Sequence, residues 1–251
     1  MNTPKVSIIT VCYNSQATIE ETITSVLEQD YANLEYIIID GQSQDNTLAI
    51  IDKYKNKITK IISEPDQGIY DAMNKGIKLA NGEIIGLLNS DDLYKDKQTI
   101  TKIVEHFQSS QADLVYADVS YISKNDKNKP SRYWQSGQAN LKKINSGWIM
   151  PHPATFIKKT IYDQYGLFNP NFKLAGDYEL LLRFVKKYKI KTSYLNIVAT
   201  YMRQGGQSRR RYLGWQELKK AWRTNGYQVP PFFILRRIIS KLPQLIKRAP
   251  K

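Results

Sequence analysis

The amino-terminal part of the chain alternates short apolar runs with helical patterns. Apolar, β-branched runs occupy residues 6–11, 36–39, 58–62 and 84–88, and apolar side chains recur at helical spacing in residues 17–29, 46–54 and 69–80. Strands and helices in alternation predict an α/β fold with a mostly parallel, doubly wound sheet. Ligands of such sheets bind beyond the carboxyl ends of the strands, so the loops that follow the strands are the first places to seek a functional site.

Composition excludes several classes of protein. The chain has 251 residues, of which 41% are apolar and 24% charged, as is typical of a folded domain. Its single cysteine, Cys12, excludes an internal disulfide, and its two histidines argue against a histidine-built metal site. Neither a Gly-x-Gly-x-x-Gly motif nor a P-loop motif is present, which disfavours a dehydrogenase or a P-loop enzyme. We find no signal-peptide pattern and no apolar run long enough to span a membrane, so we expect a cytoplasmic protein.

Three loops after predicted strands are rich in acids and amides. They comprise residues 12–15, 40–45 and 89–92. Adjacent carboxylates repel unless a cation or a hydrogen-bond donor meets them, and Asp91 and Asp92 suit a hard ion such as Mg²⁺ or Mn²⁺. Asn-Ser-Asp-Asp is also ordinary turn sequence, so these residues alone leave both interpretations open.

Six motifs in order carry a resemblance to a known family. They are VSIITVCYN (6–14), YIIIDGQSQDNT (36–47), EPDQGIYDAMNKGI (64–77), GEIIGLLNSDD (82–92), HPATF (152–156) and AGDYELLLR (175–183). Together they resemble glycosyltransferase family 2, and the last two resemble the acceptor half of bacterial members that build cell-surface polysaccharides. The resemblance covers roughly residues 5–203.

This resemblance implies an α/β fold of the GT-A type: a Rossmann-like, mostly parallel central sheet flanked by helices. It implies a glycosyltransferase domain over residues 1–203, with a nucleotide-sugar half at about 1–95 and an acceptor half at about 96–203. Residues 204–251 then form a basic, amphipathic helical tail as a carboxyl-terminal extension.

The activity that the resemblance implies is transfer of a sugar from a nucleotide diphosphate, usually UDP, to an acceptor hydroxyl with inversion at the anomeric carbon. A divalent metal ion, Mg²⁺ or Mn²⁺, stabilises the charge that grows on the departing diphosphate. Asp91 is the expected principal metal ligand, and Asp92 is expected to assist it. Asn89 stands where the family pattern commonly has the first acid of the metal motif. A protein of the polysaccharide pathway that has lost activity and serves as a scaffold therefore stays an open alternative.

Further donor contacts follow from the same resemblance. Asp40 is expected to accept the uracil N–H, although Asp40-Gly41 could also serve as a tight turn or helix cap. The other implied donor contacts are Thr10, Val11, Tyr13, Asn14, Asn74, Lys75 and Ser90. Lys75 lies four residues after Asp71 on a predicted helix, so a surface ion pair between them is an equally good interpretation.

On the acceptor side, the resemblance identifies Asp177 as the general base that removes the hydroxyl proton during attack. The alternative is that Asp177 only caps the helix it begins. Weaker candidates for contacts to the acceptor or to the diphosphate are His152, Glu179 and Arg209.

The positive charge is concentrated at the carboxyl end. Residues 201–251 hold 13 of the 37 Lys and Arg but one acid, Glu217, so they carry +12 of the net +14. Apolar residues recur there at helical spacing, at Phe232, Leu235, Ile238, Ile239, Leu242, Leu245 and Ile246. This pattern favours a helix on an anionic membrane surface, where it meets a lipid-linked acceptor on the inner face of the cell membrane. One open alternative is a helix that packs on the domain with its charges in solvent. A second is a tail that binds nucleic acid, and we do not expect this second one.

Overall fold

The computed structural model of the chain describes residues 3–123, 126–204 and 211–241. Its strands are β1 (Val6–Cys12), β2 (Leu34–Asp40), β3 (Lys60–Ser63), β4 (Ile84–Asn89), β5 (Leu93–Tyr94), β6 (Leu114–Ser123), β7 (Asp126–Trp134), β8 (Thr155–Lys158) and β9 (Thr192–Arg203). Its helices are α1 (Ile19–Leu27), α2 (Thr47–Asp52), α3 (Ile69–Leu79), α4 (Thr99–Ser110), α5 (Leu141–Asn145), α6 (Lys159–Tyr165), α7 (Gly176–Leu182), α8 (Arg211–Thr224) and α9 (Phe233–Lys241). A π-helical turn, Arg183–Lys187, continues α7.

One sheet organises the fold in the order β3-β2-β1-β4-β8-β6-β9-β5, with β7 paired to β6. Strands β1 to β4 are parallel, whereas β8 runs antiparallel to β4 and β6. The register pairs Cys12 with Asp40 and Val11 with Asn89, so β1, β2 and β4 end at the same edge. The predicted α/β fold and its four amino-terminal strands are therefore confirmed.

Both faces of the sheet are covered. Alternate residues of β1 point to opposite sides: Ile8 packs in the cluster beneath α1 and α4, and Ile9 in the cluster that contains α3 and α7. Both isoleucine side chains are fully buried. Each such side chain stabilises the fold by about 1.5–3 kcal/mol, which explains why these strands are continuous apolar runs rather than alternating ones.

The described carboxyl-terminal helices α8 and α9 pack on the domain, as the alternative of a packed helix predicts, and the boundary at residue 204 stays a prediction. Trp222 of α8 is buried and donates a hydrogen bond of 3.0 Å from Nε1 to the hydroxyl of Tyr178. Phe233 of α9 is buried against the same cluster. The predicted continuation of the apolar pattern at Leu242, Leu245 and Ile246 lies outside the described residues, as does Arg209.

The outer side of α9 keeps the predicted amphipathic character. Leu235, Ile238 and Ile239 are about half exposed, and Phe232 just before the helix is 75% exposed. Within the described ranges, none of the helices combines the length and apolarity that crossing a bilayer demands.

Candidate active site

The three polar loops predicted from the sequence meet at one edge of the sheet. The backbone N–H of Asn14 donates to Ser43 Oγ over 2.8 Å, and the Asn14 side chain accepts from the Gln44 N–H over 2.8 Å. The hydroxyls of Ser15 and Ser90 lie 2.8 Å apart and link the first loop to the loop after β4. The register of the sheet thus brings together segments that are far apart in sequence.

The acidic motif after β4 combines one accessible and one buried carboxylate. Asp91 is half-buried, whereas Asp92 is buried and accepts hydrogen bonds from the Arg203 N–H over 3.3 Å and from Asn89 Nδ2 over 3.2 Å. Burial raises the pKa of Asp91, and burial together with the charge of Asp91 raises the pKa of Asp92 well above its ordinary range. The ionised form of these two carboxylates is therefore unfavourable unless a cation or further hydrogen-bond donors meet them.

The donor set of this motif fits a hard divalent cation. Asn89 Oδ1 is buried and has no hydrogen-bond partner in the part of the chain that the structure describes. A lone amide oxygen beside two carboxylates is the oxygen-only chemistry that Mg²⁺ and Mn²⁺ prefer. No group of three or more His, Cys, Asp or Glu suited to a metal occurs among residues 3–123, 126–204 and 211–241. Such a cation would therefore take its remaining ligands from phosphate oxygens and water, as Mg²⁺ usually does.

Arg203, at the end of β9, anchors the acidic motif, and sequence reasoning missed this role. Its Nε donates to the Asp91 carbonyl over 3.3 Å, and its guanidinium pairs with Glu21 at 3.0 Å. The guanidinium charge acts to lower the pKa of both Asp91 and Asp92, against the effect of burial. The pairing of β9 with β5 places Arg203 there, and no local pattern in the sequence reports that pairing.

Asp40, whose predicted contact with uracil stays a prediction, is bound within the protein. Its side chain is fully buried, and it accepts hydrogen bonds from the Ser43 hydroxyl over 2.5 Å, the Ser43 N–H over 2.9 Å and the Ser63 hydroxyl over 2.7 Å. Cys12 Sγ lies 3.5 Å from the same carboxylate, which contributes to raising the pKa of that thiol. In this arrangement Asp40 organises the turn after β2, as the turn interpretation predicts, and its carboxylate is fully buried.

Asp66 is the carboxylate that lies above the loop instead. A Cβ added at Gly41 would approach Asp66 Oδ2 to 2.5 Å and the Tyr13 ring to 3.4 Å, so the Asp66 carboxylate lies directly over Gly41. The Tyr13 side chain is 61% exposed, and Asp66 Oδ1 accepts from the Gly68 N–H over 2.8 Å. The exposed Tyr13 ring and the Asp66 carboxylate, a hydrogen-bond acceptor, thus lie side by side near the strand ends.

Other predicted donor contacts are engaged within the protein. The Thr10 side chain is buried and accepts a hydrogen bond of 3.1 Å from the hydroxyl of Tyr36, and Val11 is buried in the sheet. Asn74 is also buried and bonds both backbone groups of Phe168, over 2.8 and 2.9 Å. The side chains of Thr10 and Asn74 are therefore engaged in hydrogen bonds within the protein, and the donor contacts predicted for Thr10, Val11 and Asn74 stay predictions.

Lys75 forms the ion pair that the sequence offered as an alternative. Its ammonium lies 3.8 Å from Asp71, and it also pairs with Glu64 at 2.8 Å and donates to the Pro65 carbonyl over 2.7 Å. The hydrogen bond with Glu64 raises the pKa of Lys75. Lys75 thus holds the loop that carries Asp66, and its predicted contact with the donor stays a prediction.

Asp177 is the residue predicted as the general base on the acceptor side. It lies in the first turn of α7, half-buried, where its Oδ1 accepts from the Tyr178 N–H over 2.7 Å and lies 3.4 Å from the Tyr70 hydroxyl. The N-cap position belongs to Ala175, so Asp177 does not cap the helix. Burial and the nearby charge of Asp177 raise the pKa of Tyr70, which keeps that phenol a hydrogen-bond donor.

His152 lies in the same region. Its ring meets the edge of Phe168, with centroids 5.7 Å apart, and Phe168 in turn stacks on Tyr70. Burial lowers the pKa of His152, although the charge of Asp177 acts in the opposite direction. The imidazole is therefore favoured as a neutral group close to Asp177.

Glu179 is engaged by hydrogen-bond donors within the protein, and its predicted contact with the acceptor stays a prediction. It is buried, accepts a hydrogen bond of 3.1 Å from Arg183 Nε and another of 3.1 Å from Asn225 Nδ2. Residues two apart on a helix point to different faces, which is why these neighbours differ in role. Glu179 ties α7 to α8.

Glu217 of α8 holds the loop that leads into Asp177. Its carboxylate accepts three successive backbone N–H groups, from Lys173, Leu174 and Ala175, over 2.7–2.8 Å. Sequence reasoning noted Glu217 as the one acid in a basic segment but assigned it no role. That isolation was the available signal, because a lone buried carboxylate must find donors.

Charges connect the acidic motif with Asp177. Burial raises the pKa of Tyr121 of β6, and the charges of Arg132, Asp92 and Arg237 also act on it. Arg237 of α9 in turn feels the charge of Asp177. Tyr121 and Arg237 are therefore the described residues through which the electrostatics of the two carboxylate groups are linked.

Comparison with known proteins bears on the family and the fold of this chain. The family model described as Glycosyl transferase family 2 matches residues 7–166. The Escherichia coli protein WfaP, named as a UDP-Glc:alpha-D-GlcNAc-diphosphoundecaprenol beta-1,3-glucosyltransferase, is 33% identical over 204 residues, 79% of this chain and 76% of its own length.

Two solved structures share the fold. The structure of S. aureus TarS 1-349 in complex with UDP-GlcNAc aligns with a TM-score of 0.71 and 20% identity, covering 96% of this chain and 78% of that chain. The mannosyltransferase PcManGT from Pyrobaculum calidifontis, in complex with GDP-Man and Mn²⁺, aligns with a TM-score of 0.65 and 20% identity, covering 96% of this chain and 70% of that chain.

The sheet order, the strand-end site and the match over most of the domain agree with one another. The chain is a glycosyltransferase with a GT-A-like α/β fold and belongs to glycosyltransferase family 2.

Proposed function

We propose that this protein transfers a sugar from a UDP-sugar, with inversion, to a hydroxyl of a lipid-linked glycan during cell-surface polysaccharide synthesis. The observation that carries the proposal is an acidic motif at the strand ends, Asp91 and Asp92, together with a half-buried carboxylate, Asp177, whose Oδ1 lies 3.4 Å from the Tyr70 hydroxyl. The charge of Asp92 acts on Tyr121, as does that of Arg237, which also feels the charge of Asp177. The names of WfaP, a UDP-glucose transferase with a diphosphoundecaprenol acceptor, and of the TarS complex with UDP-GlcNAc support this choice of donor and acceptor class.

In the proposed reaction Asp177 takes the proton of the acceptor hydroxyl while that oxygen forms a bond to the anomeric carbon. The bond from the anomeric carbon to the UDP oxygen breaks in the same step, and UDP leaves with the bonding electron pair. Tyr70 holds the Asp177 carboxylate through its hydroxyl, 3.4 Å from Oδ1. A base placed opposite the leaving group gives a single displacement with inversion.

On the donor side, Asp91 would hold Mg²⁺ or Mn²⁺, with Asn89 Oδ1 and the carboxylate of Asp92 nearby. When bound, the cation supplies positive charge against the departing diphosphate. The burial that raises the pKa of Asp91 and Asp92 makes cation binding favourable, because it relieves unfavourable negative charge. Arg203 fixes the position of the motif from below.

We propose that Asp66, rather than Asp40, accepts the N–H of the uracil ring of the donor. Asp66 Oδ2 projects over Gly41 beside the exposed ring of Tyr13, so an imide N–H and an aromatic face can be met together. Asn14, Ser90 and the strand-end backbone complete the frame of this proposed base site.

We further propose that the protein is peripheral on the inner face of the cell membrane. The exposed apolar side chains of Leu235, Ile238 and Ile239 lie on the outer side of α9, in a segment that carries +12. A cationic amphipathic helix of this kind lies in the headgroup region of an anionic bilayer.

The test is a donor panel. UDP-glucose, UDP-galactose and their N-acetyl forms are each incubated with the full chain, with and without Mn²⁺, and UDP release is measured with a diphosphoryl-lipid sugar acceptor. Metal-dependent UDP release with at least one donor supports the proposal. If UDP and Mn²⁺ neither raise the melting temperature nor produce release with any donor, the proposal is wrong.

A further inference from the structure

A groove of about 330 Å³ lies between α8 and the start of α9. Its described lining consists of two cations, Lys219 and Arg223 of α8, and six apolar residues from segment 229–235, with no acid among them. We call it the α8–α9 groove. Like charges four residues apart on one helix face repel each other, so this lining favours an anion.

The two cations of the groove are available to a ligand. Both side chains are exposed, and neither forms an ion pair or a side-chain hydrogen bond with residues 3–123, 126–204 or 211–241. Trp215 lies four residues before Lys219, on the same side of α8, and is 40% exposed. Tryptophan is enriched at the headgroup level of bilayers, because its ring is apolar and its N–H is polar. This side of α8 therefore combines the residue types of a membrane interface.

Phe232 brings an apolar ring to the groove that the fold does not bury. Its side chain is 75% exposed, and its φ of 54° lies in the left-handed region, which is unfavourable for a bulky residue. The neighbouring Phe233 is buried in the core instead. Leu235 is 55% exposed and lines the same groove as Phe232. An exposed apolar wall thus lies beside two cations, and contact with an apolar partner would stabilise it.

The lining matches a ligand that has an anionic part and an apolar part. A phosphate would meet Lys219 and Arg223 through charge-assisted hydrogen bonds. A hydrocarbon chain would lie against Phe232 and Leu235. Nucleic acid or free phosphate would satisfy the cations and leave the apolar wall in water. An anionic phospholipid satisfies both parts of the lining, and its charge is opposite to that of the groove.

We propose that the α8–α9 groove binds the headgroup phosphate of one anionic phospholipid, with an acyl chain against Phe232 and Leu235. This inference rests on the peripheral location proposed above and adds a specific lipid contact on α8 to the general contact of the outer face of α9. Contacts on two helices, rather than on one, would fix how the domain is rotated on the bilayer. Trp215 would then lie at the headgroup level.

The experiment measures co-sedimentation of the full chain with phosphatidylcholine vesicles that contain or lack phosphatidylglycerol. The test variants are K219Q/R223Q and F232S, and K219R/R223K keeps both charges. The matched control is K53Q/K57Q, which also removes two exposed cations four residues apart. These lysines follow α2, whose Ile51 packs in the cluster on the other face of the sheet. Thermal melts report folding of every variant, and binding of duplex DNA is measured alongside.

We expect K219Q/R223Q to lose about tenfold or more in affinity for vesicles with phosphatidylglycerol, since each base near an anionic surface contributes substantially to binding. F232S should lose affinity as well, whereas K219R/R223K and K53Q/K57Q should stay within about twofold of wild type. The melting temperatures should be unchanged, because the substituted side chains are exposed.

The proposal is overturned if K219Q/R223Q or F232S binds these vesicles like wild type, or if K53Q/K57Q loses as much affinity as K219Q/R223Q. It is also overturned if K219Q/R223Q loses binding to duplex DNA and keeps binding to vesicles. If wild type binds no anionic vesicle, the proposed peripheral location is wrong together with the lipid site. Failure of wild type to bind UDP with Mn²⁺ would instead refute the proposed sugar transfer alone.

Discussion

The hydroxyl of Tyr70 on α3 lies 3.4 Å from Oδ1 of Asp177 on α7, although 107 residues separate them in sequence. A Cβ at Gly176 would approach the Tyr70 ring to 2.7 Å, so α7 packs directly on that ring. This contact joins the helix that follows the Asp66 loop to the helix that carries the proposed base. The Tyr70 phenol therefore links α3 to α7.

Replacing Asp177 with Asn should abolish transfer and spare donor binding. The amide cannot remove the hydroxyl proton, and a positioned general base typically contributes about 10²–10⁴-fold to a rate. The measurement is kcat for UDP release with acceptor, together with the Kd for UDP and Mn²⁺. Activity equal to wild type in D177N would remove Asp177 from the mechanism.

Asp91→Asn should remove the response to metal. Asp91 is the more accessible carboxylate of the motif, since Asp92 already accepts hydrogen bonds from Arg203 and Asn89. We expect Mn²⁺ to raise the melting temperature of wild type in the presence of UDP and to leave that of D91N unchanged. D163N, which removes an exposed carboxylate on α6 and keeps both carboxylates of the motif, is the control. A full Mn²⁺ response in D91N would place the cation elsewhere.

Glu217→Gln should destabilise the fold and lower kcat together. The carboxylate holds the N–H groups of Lys173, Leu174 and Ala175, and weakening such charged hydrogen bonds costs about 1–3 kcal/mol of unfolding free energy. Urea denaturation gives the stability, and Q216A, a neighbouring exposed position, is the control. An E217Q protein with wild-type midpoint and kcat would show that this anchor is dispensable.

Lys241 should make stability rise with pH. Its pKa is lowered from 10.5 to about 7 in the folded protein by burial and by Arg237 and Arg132, against the opposing effect of Asp177. Between about pH 7 and 10 the unfolded chain then binds more protons than the folded one, so unfolding becomes less favourable as pH increases. The melting-temperature difference between wild type and K241M should shift in favour of wild type across this window. A constant difference would contradict the assignment.

Leu235→Ser with Ile239→Ser should weaken binding to anionic phospholipid vesicles. Both side chains are about half exposed, so the variant should fold normally. Fully burying a leucine or isoleucine contributes about 1.5–3 kcal/mol, so we expect a loss of about tenfold or more in vesicle affinity by co-sedimentation. L141S, at a position of similar exposure on α5, is the control. Equal binding of both variants would exclude the outer face of α9 as the membrane contact.

Local patterns predicted the strands and the convergence of their loops. Continuous apolar runs identified β1 to β4, because strands covered on both faces have no polar alternation. The same patterns could not tell which polar side chains would point outward. Asp40 and Asp66 are both turn aspartates in the sequence, and only the packing of Ser43 and Ser63 around Asp40 distinguishes them.

Contacts distant in sequence were the ones that sequence reasoning missed. Arg203 reaches the acidic motif through the pairing of β9 with β5, and Glu217 reaches the loop before Asp177 through the packing of α8 on α7. The helical pattern of α9 was visible, but its orientation was not. The apolar stripe in the sequence includes Phe232, whereas in the structure Phe233 is buried and Phe232 is exposed.

The central claim is that Asp91 holds a cation for a leaving diphosphate on one side of a cleft whose other side carries Asp177. The most direct test is a crystal structure of the full chain with UDP and Mn²⁺, with the metal located by its anomalous signal. We predict a manganese peak in contact with the Asp91 carboxylate and the UDP diphosphate, within the cleft that Asp177 borders. A manganese site away from Asp91, or a diphosphate bound outside that cleft, would contradict the account.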